Sequence, residues 1–166
     1  MSPMILRALA FAAFALAMLS PPALADEDAD RAASVAAATL QADRWLRAMD
    51  DHLYSEGWNE SASVVKEGRT EQGWIQEVSG PREALGKPVM REFKQAEYAT
   101  HVRGAPEGKY VTAVYLTKFT NIPLVTETIL LSFEDGQWRV GGYSIQEAQP
   151  SSTPPSEPAP AAKPKD

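Results

Sequence analysis

The sequence contains no cysteine. Disulfides, thiolate nucleophiles and thiolate metal sites are therefore excluded, as is the lipid-bearing cysteine that tethers exported bacterial lipoproteins. Histidine is also scarce, since His52 and His101 are the only two, and they lack the H-x-x-x-H spacing of a helical metal site. The sequence also has no phosphate loop, dinucleotide fingerprint or nucleophile elbow. We therefore expect no metal and no cofactor.

Basic residues are outnumbered, with 16 Lys and Arg against 22 Asp and Glu. Binding nucleic-acid phosphates needs a basic face, so a nucleic-acid partner is not expected. Asp26, Asp28 and Asp30 resemble the first ligands of a calcium loop. That interpretation fails because Arg31 stands where the loop needs glycine and Ala37 where it needs glutamate. The acids are better explained as the start of a helix, whose N-terminus favours negative charge.

The N-terminus has the order of a secretory signal peptide. Arg7 precedes an uncharged apolar run over residues 8–19, and a small-x-small triplet follows at residues 23–25. The run is shorter than the ~20 apolar residues that a membrane-spanning helix needs, so the sequence favours cleavage between Ala25 and Asp26 over an uncleaved anchor. We expect a periplasmic or secreted mature chain with no membrane attachment. Its net charge is about −7, because cleavage removes Arg7 from a chain of net charge −6.

Residues 150–166 form a tail rich in proline, alanine and serine. The tail holds six prolines and no large apolar side chain, so it has almost nothing to bury in a core. We predict a disordered spacer, which leaves residues 26–149 as a single folded domain. The spacing of Pro155 and Pro158 matches a loose PxxP pattern, which leaves a contact with a protein partner open.

Helical spacing of apolar residues dominates the first half of the predicted domain. It predicts helices over residues 26–53, 58–66 and 71–80, the third beginning after Thr70 as its N-cap. Gly80 and Pro81 are expected to end this third helix, with an irregular turn over residues 81–86.

Beyond Pro88 the pattern becomes strand-like. The four predicted strands cover residues 89–100, 109–120, 126–134 and 137–146. Asp135 and Gly136 form a strong hairpin signal between the last two strands, and the other connections are too short for crossover helices. The strand at 109–120 is apolar on both sides, as in a central strand or a sheet that is covered on its second face. These features predict an α+β domain with helices packed on a curved four-stranded antiparallel meander.

The order of certain residues along the chain resembles the order found in the exported domain-of-unknown-function family 4019. The shared series covers residues 40–146 and comprises Trp45, Leu46, Asp50, Tyr54, Trp58, Ala62, Trp74, Arg82, Leu85, Gly86, Arg91, Glu127, Thr128, Asp135, Gly136, Trp138, Arg139, Val140, Gly142 and Tyr143. The resemblance implies a cone-shaped fold like that of nuclear transport factor two-like or cystatin-like domains, and by analogy a homodimer. It implies no reaction. The chain departs from the family in having Gly57 where a small hydroxyl residue usually precedes Trp58.

Seven polar and aromatic residues are candidates for the mouth of such a cone. They are Asp50, Tyr54, Trp58, Arg82, Arg91, Glu127 and Tyr143. An Asp and an Arg on opposite walls could bind a small polar ligand, and a carboxylate could serve as general base. The competing interpretation, which we favour, places all four tryptophans in the core. It pairs Asp50 or Glu127 with Arg82, Arg91 or Arg139 in a structural salt bridge.

Three functions are compatible with these residues. The favoured one is a noncatalytic ligand-binding or accessory domain, whose partner is an unknown small ligand or a protein segment. The second is a small cone-fold enzyme of the isomerase or dehydratase type, with Asp50 as base. The third is a protein-interaction module near the cell wall. A deep cavity with an unpaired carboxylate of raised pKa would favour the enzyme.

Overall fold

The computed structural model describes residues 23–148, and within them four helices precede four strands. The elements are α1 (Ala23–Asp50), α2 (Tyr54–Asn59), α3 (Ser63–Lys66), α4 (Glu71–Leu85), β1 (Pro88–Ala99), β2 (Tyr110–Phe119), β3 (Val125–Glu134) and β4 (Gln137–Glu147). The predicted α+β class is confirmed. The predicted tail, and the predicted signal peptide up to residue 22, lie outside the described residues.

The four strands form one open antiparallel sheet in the order β1-β2-β3-β4, which confirms the meander. Each strand begins and ends within one residue of its predicted bounds. The hairpin between β3 and β4 turns at Asp135 and Gly136, whose φ angles are 49° and 78°. Two consecutive positive φ angles are the mark of a two-residue primed turn, which matches the twist of the strands it joins.

The core lies between the helices and one face of the sheet. Helix α1 crosses the sheet and contacts all four strands. Alternate residues of the central strands point toward it and are buried, namely Val111, Ala113, Tyr115, Ile129 and Leu131. On α1, helical spacing brings Trp45, Leu46 and Met49 to the same side, where each is at most 2% exposed. Burial of such side chains contributes roughly 1.5–3 kcal/mol each and holds the helices on the sheet.

The other face of the sheet carries half-buried side chains at its centre. Thr112, Val114 and Leu116 of β2 point to this side and lie opposite Leu130, Thr128 and Thr126 of β3. The two-sided apolar pattern of β2 therefore reflects its position as a central strand.

The predicted end of the third helix is wrong, because α4 continues through Gly80 and Pro81 to Leu85. Proline has a helical φ, but it lacks the backbone N–H and its ring crowds the carbonyl four residues earlier, a cost that later contacts can offset. Those contacts come from the last turn, where Arg82 and Leu85 are each 5% exposed. The helix ends at Gly86, whose φ of 76° suits glycine.

The predicted bounds of the first two helices are also wrong. Helix α1 ends at Asp50 rather than residue 53, since His52 has a φ of 61° and interrupts the helix. The single helix predicted over residues 58–66 is replaced by α2 and α3, with an extended segment between them.

Both edges of the open sheet are interrupted. At the β4 edge, Ser61 from the segment between α2 and α3 forms a parallel bridge with Val140. At the β1 edge, the register shifts between Phe93 and Gln95 and again near the start of the strand. Such interruptions limit pairing with another strand at these edges.

Candidate functional site

Four charged side chains from four different elements meet between the helices and the sheet. Asp50 ends α1, Arg82 lies in the last turn of α4, Arg91 is on β1, and Glu127 is on β3. Each arginine contacts both carboxylates, so the charges alternate around a closed circuit. We call these four residues the charge ring.

The contacts within the charge ring are short and directional. Arg91 donates to Asp50 through both terminal nitrogens, with Nη1–Oδ2 at 2.6 Å and Nη2–Oδ1 at 3.1 Å, and through Nε to Oε2 of Glu127 at 2.8 Å. Arg82 donates through Nη1 to Oε1 of Glu127 at 3.0 Å and through Nη2 to Oδ1 of Asp50. The ring therefore ties two helices to two strands.

The charge ring is largely shielded from water. The side chain of Glu127 is 0% exposed and that of Arg82 is 4% exposed, whereas Asp50 and Arg91 retain 11% and 16%. The guanidinium of Arg82 also lies 5.5 Å from the ring centroid of Phe119 and 5.6 Å from that of Tyr143. Buried charges are tolerated only when they are paired, so each member of the ring depends on the others.

Two hydroxyl groups complete the hydrogen bonding of Glu127. Tyr143 donates to Oε1 at 2.6 Å and accepts a hydrogen bond from Arg82, while Thr117 donates to Oε2. Burial alone would raise the pKa of Glu127, but the charge of Arg91 and the hydrogen bonds from Arg91, Thr117 and Tyr143 outweigh it and lower the pKa. Glu127 is therefore held ionised, and its lone pairs are occupied.

Two of the seven predicted residues lie outside this cluster. Tyr54 is 8% exposed, and its hydroxyl has no hydrogen-bond partner among the described residues. Burial, followed by the charge of Glu83, raises the pKa of Tyr54. Trp58 is half-buried, with its ring centroid 5.8 Å from that of Trp74 and the ammonium of Lys66 at 5.7 Å.

The structure thus brings together Asp50, Arg82, Arg91, Glu127 and Tyr143. Sequence reasoning missed Thr117, because a threonine in a strand is an ordinary β-former. The only available signal was its place on the buried face of β2. Arg139, named as an alternative ion-pair partner, donates instead to the backbone oxygen of Asn59 at 3.0 Å.

A separate groove of about 760 Å³ lies where the β1–β2 loop and α3 flank one end of the sheet. We call it the loop groove. Its lining residues are Ser63, Val64, Glu67, residues 102–110, Leu130, residues 132–135 and Gly141. None of the seven predicted residues lines it. The sequence pattern predicts the segment around residues 104–108 only as a connection between strands.

Glu134 joins two walls of the loop groove. Its carboxylate accepts hydrogen bonds from the backbone N–H of Ser63 at 2.9 Å and the hydroxyl of Ser132 at 2.8 Å. Burial on its own would raise the pKa of Glu134, but the bonds from Ser63 and Ser132 lower it. The loop wall is fixed by Tyr110, which donates to the backbone oxygen of Pro106 at 2.8 Å. These hydrogen bonds fix the positions of the two walls of the loop groove.

Within residues 23–148, no group of three or more His, Asp or Glu side chains is placed to hold a metal ion. In the same part of the chain, no helix is long and apolar enough to cross a membrane.

The family model for proteins of unknown function DUF4019 matches residues 41–143. The match covers more than half of the 166 residues and includes the whole charge ring, so the chain belongs to this family. Comparison with curated proteins finds no match. The family assignment made from the residue series is confirmed, while the likeness to cone-shaped domains stays a prediction.

Proposed function

We propose that this chain is an exported, noncatalytic binding domain, in which the charge ring is a structural lock and the loop groove receives the ligand. The observation that carries the proposal is that both candidate carboxylates are shared between two arginines. A general base that works near neutral pH needs a carboxylate with a free lone pair and a raised pKa. Asp50, the base of the isomerase or dehydratase alternative, accepts hydrogen bonds from Arg82 and Arg91 through both carboxylate oxygens, so that alternative has less support.

The size and lining of the loop groove suit a small molecule or a short peptide segment. Its volume of about 760 Å³ falls within the roughly 300–1,000 Å³ of typical ligand sites. Leu130 and Phe133 give it an apolar surface, while Arg103, Lys109 and Glu67 supply charges at its sides. One wall is a loop carried on a rigid sheet, which is a common arrangement for binding residues.

Export is supported by the signal-like N-terminus and by the way α1 begins. Residues 26–33 of α1 are exposed, and the first fully buried side chain of the helix is Ala38. Cleavage before Asp26 would therefore leave the buried side chains of α1, which begin at Ala38, in the mature chain. Mass spectrometry of the exported protein should give a chain beginning at Asp26. A mature chain that still begins at Met1 would refute export by this route.

The binding role can be tested by NMR on the ¹⁵N-labelled exported protein with a defined set of small metabolites and short peptides. A ligand in the loop groove should shift the amide signals of Gly104, Gly108 and Gly141, and leave Gly73 and Gly80 on α4 unchanged. Chemical turnover of a ligand, with shifts centred on Asp50, would instead support the enzyme alternative.

A groove-filling variant provides the matched test. Gly141 does not have a positive φ, and a Cβ at this position would lie 3.6 Å from Oγ of Ser132, an ordinary contact. Gly141→Ala should therefore fold, and its added methyl group should weaken ligand binding in the loop groove. Gly80→Ala, at an exposed position where a Cβ meets no atom within 4 Å, should bind as the wild type does. Equal affinity in both variants would place the ligand elsewhere.

A further inference from the structure

A smaller pocket of about 240 Å³ lies between α1 and β1, beside the most exposed member of the charge ring. It is lined by Asp43, Leu46, Arg47, Arg91, Phe93 and Tyr115. We call it the arginine pocket. Its lining shares no residue with the loop groove, so it is separate from the ligand site proposed above.

Arg91 brings unused hydrogen-bond donors to the arginine pocket. A guanidinium has five N–H groups. In the charge ring, Arg91 uses one from Nε toward Glu127 and one from each terminal nitrogen toward Asp50. Two N–H groups therefore remain without an acceptor in the ring, on a side chain that lines a pocket open to solvent.

Arg47 adds a second cation that lacks an ionic partner in the described part of the chain. Its neighbour one turn earlier on α1 is Asp43, which would ordinarily pair with it at this spacing. Oδ1 of Asp43 instead accepts a hydrogen bond from the hydroxyl of Tyr115 at 2.8 Å. Burial, together with this bond and the charge of Asp43, raises the pKa of Tyr115, so the hydroxyl stays a donor.

An apolar surface lies next to these two arginines. Phe93 is 46% exposed, although its ring packs edge-on against Tyr115 with centroids 5.6 Å apart. Leu46, which is fully buried, also lines the pocket. The pocket therefore offers two guanidinium groups and a partly uncovered aromatic ring within one small volume.

We propose that the arginine pocket binds a small monocarboxylate with an apolar body. The planar fork of a guanidinium matches the two oxygens of a carboxylate, which would face Arg47 and Arg91. The apolar body would cover Phe93. A volume of about 240 Å³ lies just below the roughly 300–1,000 Å³ of typical ligand sites, which suits a ligand of the size of benzoate.

The test is a titration of the exported protein with sodium benzoate and, separately, with neutral benzamide at the same ionic strength. Benzoate should bind at least tenfold more tightly than benzamide, and it should shift the side-chain NMR signals of Arg47, Arg91 and Phe93. Arg47→Ala should weaken benzoate binding at least tenfold without loss of folding, because this side chain is exposed. Arg44→Ala is the matched control, since Arg44 is also exposed on α1 but does not line the pocket.

Phe93→Ala separates the apolar contact from the ionic one. It should weaken binding of benzoate more than binding of acetate, because acetate has no body to cover the ring. Equal binding of benzoate and benzamide, or equal affinity in Arg47→Ala and Arg44→Ala, would overturn the proposal. Benzoate shifts confined to Gly104, Gly108 and Gly141 would also overturn it and would support a ligand site in the loop groove.

Discussion

Arg82 and Arg91 donate to the same two carboxylates, although one belongs to α4 and the other to β1. The chain between them is short, and it turns at Gly86. The shared carboxylates of Asp50 and Glu127 then hold the last turn of α4 against β1 on either side of this turn.

Arg82→Ala should reduce the free energy of unfolding by about 3–5 kcal/mol. Removing one partner leaves Asp50 and Glu127 with too little positive charge in a buried site. Urea unfolding at pH 7 measures the change. Arg139→Ala is the control, since within the described residues the Arg139 side chain hydrogen-bonds only to exposed acceptors on Asn59 and Gln137, and it should cost less than ~1 kcal/mol. An Arg82→Ala protein as stable as this control would show that the ring does not contribute to stability.

Glu127→Gln should change how stability depends on pH. The pKa of Glu127 is lower in the folded state than the ~4.3 of an unfolded glutamate. Its stabilising contribution is therefore complete above the unfolded pKa and is lost as the pH falls toward the folded one. The stability difference between wild type and Glu127→Gln should be largest at pH 7 and shrink below about pH 4. Urea unfolding at several pH values tests this, and a constant difference would contradict it.

Trp138→Ala should reduce the free energy of unfolding by about 3–5 kcal/mol, the usual cost of removing a buried large aromatic side chain. Trp138 is 8% exposed, belongs to the main core and lies 5.3 Å from the ring of Phe133. Trp138→Phe should retain part of this packing and lose less. If Trp138→Ala melts within a degree or two of wild type, the tryptophan contributes little to the core and is free to act in binding.

Pro81→Ala should raise stability by on the order of 1 kcal/mol. Alanine restores the backbone donor that proline lacks inside α4, and it has the highest helix propensity. Part of this gain in the free energy of unfolding is offset, because proline also lowers the conformational entropy of the unfolded chain. Thermal unfolding followed by circular dichroism measures the effect. A lower melting temperature would indicate that the exposed proline ring makes a contact that the helix needs.

Deletion of residues 150–166 should leave the melting temperature nearly unchanged. A segment without large apolar side chains has almost no surface to bury on folding. Amide exchange over residues 151–162 should be fast in the full chain. Slow exchange there, or a loss of several degrees on truncation, would show that the tail is a structural element rather than a spacer.

The strands could be predicted to within one residue because their signals are local. Alternation of apolar residues and the Asp135-Gly136 turn act over a few positions. The end of α4 could not be predicted in this way. Gly80 and Pro81 are local stop signals, but the helix continues because Arg82 and Leu85 gain partners that are distant in sequence.

The members of the charge ring could be named from the sequence, but their pairing could not. The family resemblance, and the cone-shaped fold that it implies, pointed to Asp50, Arg82, Arg91 and Glu127 as candidates. That both carboxylates meet both arginines depends on the register of β1 and β3 through β2 and on the packing of α1. The loop groove was missed for the same reason, since Ser63 and Glu134 meet only when α3 folds against the sheet.

The interrupted edges of the sheet have a consequence for self-association. Ser61 occupies part of the β4 edge, and the bulge near Phe93 breaks the row of backbone groups along β1. Within residues 23–148, the sheet therefore lacks an uninterrupted edge through which one copy could extend the sheet of another into a filament. The half-buried side of Val114 and Leu116, which no helix covers within residues 23–148, is a face through which two copies could instead meet.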